Sequence, residues 1–198
     1  GKYTNVLLPS YKNDMKSIAN QQTLESCKKL NIGCPEIFHE TDVLCELKKN
    51  NSREKPVRFV LKPCSDIGGS RGMGIFHEKK ALQQYKKNAE KYGNHFISEY
   101  IPGPTANMRT VKLLFDKNSA LVTYCTTQNI RQWPNSGGIS AFTVSTNETD
   151  LVAFRLPFCL NYQWPGFAEA ETKIDARAGK PTRIEIHPRF CGYDGSPI

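Results

Sequence analysis

The sequence predicts an α+β protein of two lobes built on antiparallel sheets, and three observations carry that expectation. Residues 167–190, F-A-E-A-E-T-K-I-D-A-R-A-G-K-P-T-R-I-E-I-H-P-R-F, alternate at the strand period of two on either side of one turn. Residues 57–63, V-R-F-V-L-K-P, form a mostly apolar run ending in Lys62 and Pro63, the pattern of a buried strand, and lead into a glycine-rich loop. Helical stretches separate sheet segments in both halves of the chain, with a seam near Tyr100.

Size and composition narrow the classes. At 198 residues, with 38% hydrophobic and 23% charged residues, the chain can bury an ample core. The longest apolar run, residues 151–160, contains Arg155 and Pro157, so no membrane span is expected. Seven cysteines are odd in number and scattered, with no C-x-x-C spacing. That argues against a disulfide framework or a zinc site, and a reducing cytoplasm is the expectation. A net charge of +8 implies an anionic partner. Aromatics do not interleave with the lysines, which disfavours a nucleic-acid platform and points to phosphates or carboxylates in a cleft.

In chain order, Val6, Leu7 and Leu8 read as the tail of a strand and residues 13–30 as a helix in two pieces. Asn20 would cap the second piece, with Leu24, Cys27 and Leu30 as its apolar stripe. Residues 36–39 are extended and 41–50 form a short amphipathic helix. After the strand at 57–63 and its loop come a strand at 73–76, a helix at 79–92 ended by Gly93, and a strand at 95–101. Strands at 108–115 and 120–128 flank a turn at 116–119, residues 129–138 read as a polar loop carrying Arg131, and residues 148–162 as a helix disturbed by Pro157.

In the closing hairpin Phe167, Glu169, Glu171, Lys173 and Asp175 share one face, and Ala168, Ala170, Thr172 and Ile174 the other. Beyond the turn, Ile184 and Ile186 point one way while Glu185, His187 and Arg189 point the other. Glu171 and Glu185 are an even number of residues apart, so an odd-length loop sets them opposite each other. A three-residue loop of Arg177, Ala178 and a left-handed Gly179 does this. Carboxylates facing at roughly 5 Å repel unless a cation lies between them. The hairpin therefore reads as a seat for a divalent metal with its phosphates, or as a solvated hairpin whose charges pair with Lys173 and Arg183.

The loop Gly68-Gly69-Ser70-Arg71-Gly72-Met73-Gly74 lies between two strands, the first ending in Lys62. Glycines let successive N–H groups turn toward one oxyanion, and Lys62 adds a point charge. The loop lacks the G-K-[ST] of a Walker sequence and opens no long helix, so by itself it also reads as a flexible hairpin tip.

Taken together, F-V-L-K-P with I-G-G-S-R-G-M-G, then I-S-E-Y-I-P-G, R-Q-W-P-N-S-G-G, G-F-A-E-A-E-T-K-I-D and I-E-I-H-P-R-F resemble, in the expected order, the ATP-grasp superfamily of carboxylate–amine and carboxylate–thiol ligases. The branch it looks most like is the one related to carbamoyl phosphate synthase and biotin carboxylase. The resemblance implies two lobes clamping ATP. Lys62 would hold its phosphates under a flap of Gly68, Gly69, Ser70, Arg71, Gly72 and Met73. Glu99, Tyr100 and Ile101 would present the adenine edge, and Ile184 would lie under the ring. Glu171, Glu185 and His187 would bind Mg2+, and Arg189 would steady the transferred phosphoryl group. Arg131 would reach phosphate or substrate, or else be a surface charge.

Three positions depart from the family pattern. Asn20 stands where a second phosphate lysine is usual, Thr105 where a glutamate holds the ribose, and His187 where an asparagine completes the metal ligands. An imidazole there would favour Mn2+ or leave room for one ion, or else be a hydrogen-bonded sheet histidine. The resemblance also implies an N-terminal domain that helps bind the acceptor, with residues 1–10 its tail, 11–100 the small lobe and 101–198 a large lobe continued beyond the H-P-R-F run. The reaction implied is activation of a carboxylate as an acyl-phosphate, attack by an amine or thiol, and release of ADP and phosphate. A nucleotide-binding module without ligase chemistry is the alternative, and a basic nucleic-acid-binding protein a third.

Overall fold

The computed structural model describes residues 20–50, 52–65, 70–134 and 137–189. The expected strand at residues 6–8, the first piece of the first helix, Gly68 and Gly69 lie outside the described residues.

The chain builds two antiparallel sheets, joined by the segment that contains Tyr100. The first has the order β1-β4-β2-β3, from β1 (Ile37–Phe38), β4 (His95–Glu99), β2 (Phe59–Pro63) and β3 (Gly74–Phe76). Helices α2 (Glu40–Asn50) and α3 (Lys79–Ala89, continued as a 3-10 turn over Glu90–Tyr92) cover one face. Val43 and Leu47 of α2 and Leu82 and Ala89 of α3 recur at helical spacing and pack on Phe59, Leu61, Phe76 and Ile97. The strand period of two then fixes the opposite face. Val60 and Lys62 of β2, Ile75 of β3, and Phe96 and Ser98 of β4 all turn away from that core into a cleft.

The second sheet has the order β7-β6-β5-β8-β9, from β5 (Met108–Phe115), β6 (Leu121–Trp133), β7 (Ile139–Thr146), β8 (Gly166–Ile174) and β9 (Pro181–His187). Its core joins Val111, Leu113 and Phe115 of β5, Ala168 and Ala170 of β8 and Ile186 of β9 to Leu151, Val152, Phe158 and Cys159 of α4 (Thr149–Asn161). The α4 helix continues through Pro157. Cys27, on α1 (Asn20–Lys29), and Ile32 also pack in this second core. By its place in the sequence that segment is expected in the first lobe. Of its expected stripe, Cys27 and Leu30 pack with the second sheet while Leu24 lines the cleft.

Two sequence expectations are corrected here. Residues 129–138 are not one polar loop: β6 runs on to Trp133, and the chain returns as β7, an element the sequence did not announce. β7 is an edge strand exposed on both faces, with Ile139 at 61% and Phe142 at 54% exposure, so it lacks the one-sided burial that produces hydrophobic alternation. The closing turn is also longer than expected. Asp175 N–H donates to the Lys180 carbonyl at 2.9 Å, enclosing four residues, 176–179. An even loop would put Glu171 and Glu185 on opposite faces. A β-bulge reverses this: Thr172 pairs with Arg183 while Glu171 pairs with Glu185, leaving Ile184 as the extra residue. Ile184 thus lines the cleft beside Glu185, not the core beside Ile186.

Gly179 takes the left-handed conformation in this turn, with φ at 65°. Its N–H reaches the Asp175 carbonyl at 2.8 Å, and a Cβ there would meet nothing within 4 Å. Gly179→Ala therefore carries only the backbone penalty and lowers stability by about 1 kcal/mol in urea denaturation. A loss above ~3 kcal/mol would show that the turn is fixed by packing.

Candidate active site

The two cleft-facing surfaces enclose a cavity of about 490 Å³, which Asn20, Ser70, Arg71, Met73, Thr105 and Arg189 also line. Lys62 from the first sheet meets Glu185 from the second, Nζ to Oε1 at 2.8 Å, so the two sheets touch across the cleft through opposite charges. His187 Nε2 lies 3.6 Å from the other oxygen of Glu185. Opposite Glu185 on the neighbouring strand stands Glu171, as the alternation requires. Burial first, and then the Glu185 charge, push the Glu171 carboxyl up to about 7, while His187 and Lys62 pull it the other way. The floor thus holds two carboxylates that do not readily share their negative charge without a cation.

Beneath the floor, Arg155 of α4 donates through Nη2 to the Glu171 carbonyl and through Nε to Thr172 Oγ1 at 2.8 Å. Arg155 is 2% exposed and holds the strand from the core side. Sequence periodicity gave no hint of this, since Arg155 interrupts an apolar helix. Arg183 likewise does not pair with the hairpin carboxylates. It turns into the core, 3.0 Å from Cys27 Sγ and with its guanidinium carbon 3.6 Å from the Phe158 ring centroid. The hydrogen bond from Cys34 and the Arg183 charge bring the Cys27 thiol down to about 6.

The other expected residues fall as follows. Ser70, Arg71 and Met73 line the cavity, whereas Gly72, with φ at 69°, shapes the turn without lining it. Met73 and Ile75 reach across to the β6–β7 turn, where a Cβ on Gly137 would stand 2.9 Å from Met73 Cε and 3.3 Å from Ile75 Cδ1. Tyr100, Ile101 and Thr105 line the cavity, with Thr105 Oγ1 3.5 Å from Gln132 Oε1. The Glu99 carboxylate is engaged by Arg177. Asn20 donates to the Pro63 carbonyl at 3.2 Å, tying α1 to the end of β2 beside Lys62. Arg131 is exposed on β6 beside two bulges and lies outside the cavity lining, where Gln132 stands instead. Arg58 and Lys173 also line the cavity, and neither was expected in the cleft.

The three expected metal ligands are not equivalent in the structure. Among the described residues no three His, Cys, Asp or Glu side chains converge as a metal site. His187 sits opposite Glu169, two pairs along from Glu171 and Glu185, and Lys62 already holds one oxygen of Glu185. The two carboxylates still fit a hard divalent ion: they are oxygen donors from facing strands, with a mutual repulsion that such an ion would relieve.

No family model matches the sequence, and no curated protein matches it in sequence. Solved structures do share its architecture. D-alanyl-alanine synthetase A from Vibrio cholerae O1 biovar eltor str. N16961 superposes with a TM-score of 0.70 at 10% identity, over 92% of this chain and 58% of that one. A biotin carboxylase–β-γ-ATP complex from Campylobacter jejuni gives 0.71 at 16% identity, over 93% and 43%. The biotin carboxylase domain of 2-oxoglutarate carboxylase from Hydrogenobacter thermophilus, in complex with MgADP and bicarbonate, gives 0.67 at 16%, over 93% and 42%. The chain thus spans between 42% and 58% of the length of these proteins. Nearly all of it follows their course: two antiparallel sheets with a cleft between them, and the fold of this chain is the ATP-grasp fold.

Proposed function

We propose that the chain is the ATP-binding core of a ligase that activates a carboxylate as an acyl-phosphate for attack by an amine or thiol. The observation that carries this reading is the contact of Lys62 with Glu185 across the cleft, opposite Glu171. A phosphate lysine from one sheet and a carboxylate pair from the other are what positioning a polyphosphate requires. The substrate carboxylate attacks the γ-phosphorus and the bond to ADP breaks. The acceptor nitrogen or sulfur then attacks the acyl carbon, phosphate leaves, and the acceptor's proton passes to solvent.

In this chemistry Lys62 exchanges Glu185 for the phosphates and neutralises charge as ADP departs. Ser70, Arg71 and Met73, positioned by Gly72, close over the phosphates. Tyr100 and Ile101 border the base, Ile184 lies beneath it and Thr105 stands toward the ribose. Arg189 steadies the transferred group at the cavity rim. Magnesium, held by Glu171 and Glu185, supplies charge neutralisation when bound; manganese is the ion of choice if His187 joins. Among the described residues, the sheet β1-β4-β2-β3 and the sheet β7-β6-β5-β8-β9 supply the two lobes of the clamp. The expected setting is the cytoplasm.

One observation favours a nucleotide-binding module without ligase chemistry. Lys62 donates to one oxygen of Glu185 and His187 stands near the other, so an ion would compete with both for this carboxylate. ADP release stimulated by an added carboxylate separates the two, and its absence across a carboxylate library, with ATP binding intact, supports the module. Lys62→Ala lowers ATP affinity by about 1.5–3 kcal/mol in calorimetry, the range for hydrogen bonds to charged groups. Unchanged affinity would remove Lys62 from the phosphate site.

A further inference from the structure

The cleft has a second charged end. Strands rise about 3.3 Å per residue, so Arg58, four residues before Lys62, lies at the far end of the first sheet. On β8, Lys173 stands two residues beyond Glu171, toward the same end. Both converge on Tyr100. The Arg58 guanidinium carbon lies 5.5 Å from the ring centroid and Lys173 Nζ 5.0 Å from it. All three line the cavity. The nearby acids are committed elsewhere: Glu99 accepts from Arg177 and from the Glu36 N–H at 3.3 Å, and Asp175 accepts from Arg177 Nε at 3.0 Å. Among the described residues neither Arg58 nor Lys173 forms an ion pair. Two cations, each within 5.5 Å of one aromatic ring, thus border the part of the cavity away from the carboxylate floor.

We propose that Arg58 and Lys173 make this end of the cleft a base pocket that selects a purine with a carbonyl at position 6, so that inosine and guanosine triphosphates bind in preference to ATP. The inference rests on the proposed nucleotide site and names its base. Ammonium and guanidinium groups donate hydrogen bonds and cannot accept them. A 6-oxo purine offers O6 and N7 as adjacent acceptors, the pair that Arg and Lys bind in guanine recognition. Adenine places an amino donor beside N7, opposing the donors of both side chains. ATP still binds through its phosphates, with its base edge mismatched.

The test is calorimetric titration of the chain, in magnesium, with ATP, ITP and GTP. ITP isolates the 6-carbonyl, since GTP adds a 2-amino group. ITP and GTP bind roughly tenfold or more tighter than ATP. Arg58→Met and Lys173→Met each narrow the ITP/ATP ratio. ATP binding as tightly as ITP, or a ratio unmoved in both variants, overturns the inference while leaving the nucleotide site standing. Tight GTP with ITP no better than ATP assigns the preference to the 2-amino group and overturns it too. If no triphosphate binds, the nucleotide site itself fails, and the base pocket with it. If Lys173→Met does not fold, the wild-type ratio and the exposed-side Arg58→Met decide.

Discussion

Replacing Glu185 by glutamine abolishes magnesium-dependent ADP formation and weakens magnesium-dependent triphosphate binding by roughly a hundredfold or more, the several kcal/mol that a metal contributes to a transferring phosphoryl group. Glu185 is the better probe of the pair because it touches three parties. It accepts from Lys62 at 2.8 Å, lies near His187 and faces Glu171. Glutamine keeps the size and one acceptor oxygen, so the hydrogen bond from Lys62 survives in neutral form. The Lys62 and Glu185 side chains are only 12% and 24% exposed, so urea denaturation of the variant separates a folding effect from a loss of binding. Binding is measured with and without magnesium. A wild-type magnesium dependence in Glu185→Gln would mean that the ion is held elsewhere, and the carboxylate pair would lose its assigned role. Glu169 is a poor control: it is 3% exposed, opposite His187, and its replacement disturbs a buried site.

The sequence and the fold agree most closely where one period governs both. Phe59 and Leu61 inward, Val60 and Lys62 outward, could be read directly from V-R-F-V-L-K-P, and the same holds for Ala168 and Ala170 against Glu171 and Lys173. The facing of Glu171 and Glu185 was also legible, but through two errors that cancel. The loop is one residue longer than parity required, and the bulge at Ile184 restores the register. A bulge leaves no mark on composition, because its extra residue is an ordinary apolar one. β7 escaped notice because exposure on both faces erases alternation. Gln132, not Arg131, lines the cavity, beside a pair of bulges in β6. Arg58 and Lys173 were invisible as a pair: they lie 115 positions apart, and only the closing of one sheet over the other brings both to Tyr100.

Glu171→Gln makes the metal-free protein more stable at pH 8 by about 3 kcal/mol, an order-of-magnitude figure from ~1.4 kcal/mol per pKa unit, and the gain vanishes near pH 4. The sign follows from proton uptake. The folded carboxyl titrates near 7 rather than the ordinary 4.5, so between those values the native state binds the proton and the unfolded chain does not. Stability contributed by protonated Glu171 is fully present below 4.5 and lost as pH rises through about 7. Glutamine mimics the protonated form at every pH and therefore loses nothing. Urea denaturation in a chelator, from pH 4 to 8, measures the difference between the two proteins. Adding magnesium should reverse the order at pH 8, because the ion stabilises wild type and finds one carboxylate fewer in the variant. A difference that stays constant across the pH range would show that Glu171 is not the strained group of the floor. A constant difference that magnesium also leaves unchanged would mean that the carboxylate pair forms no seat for a cation.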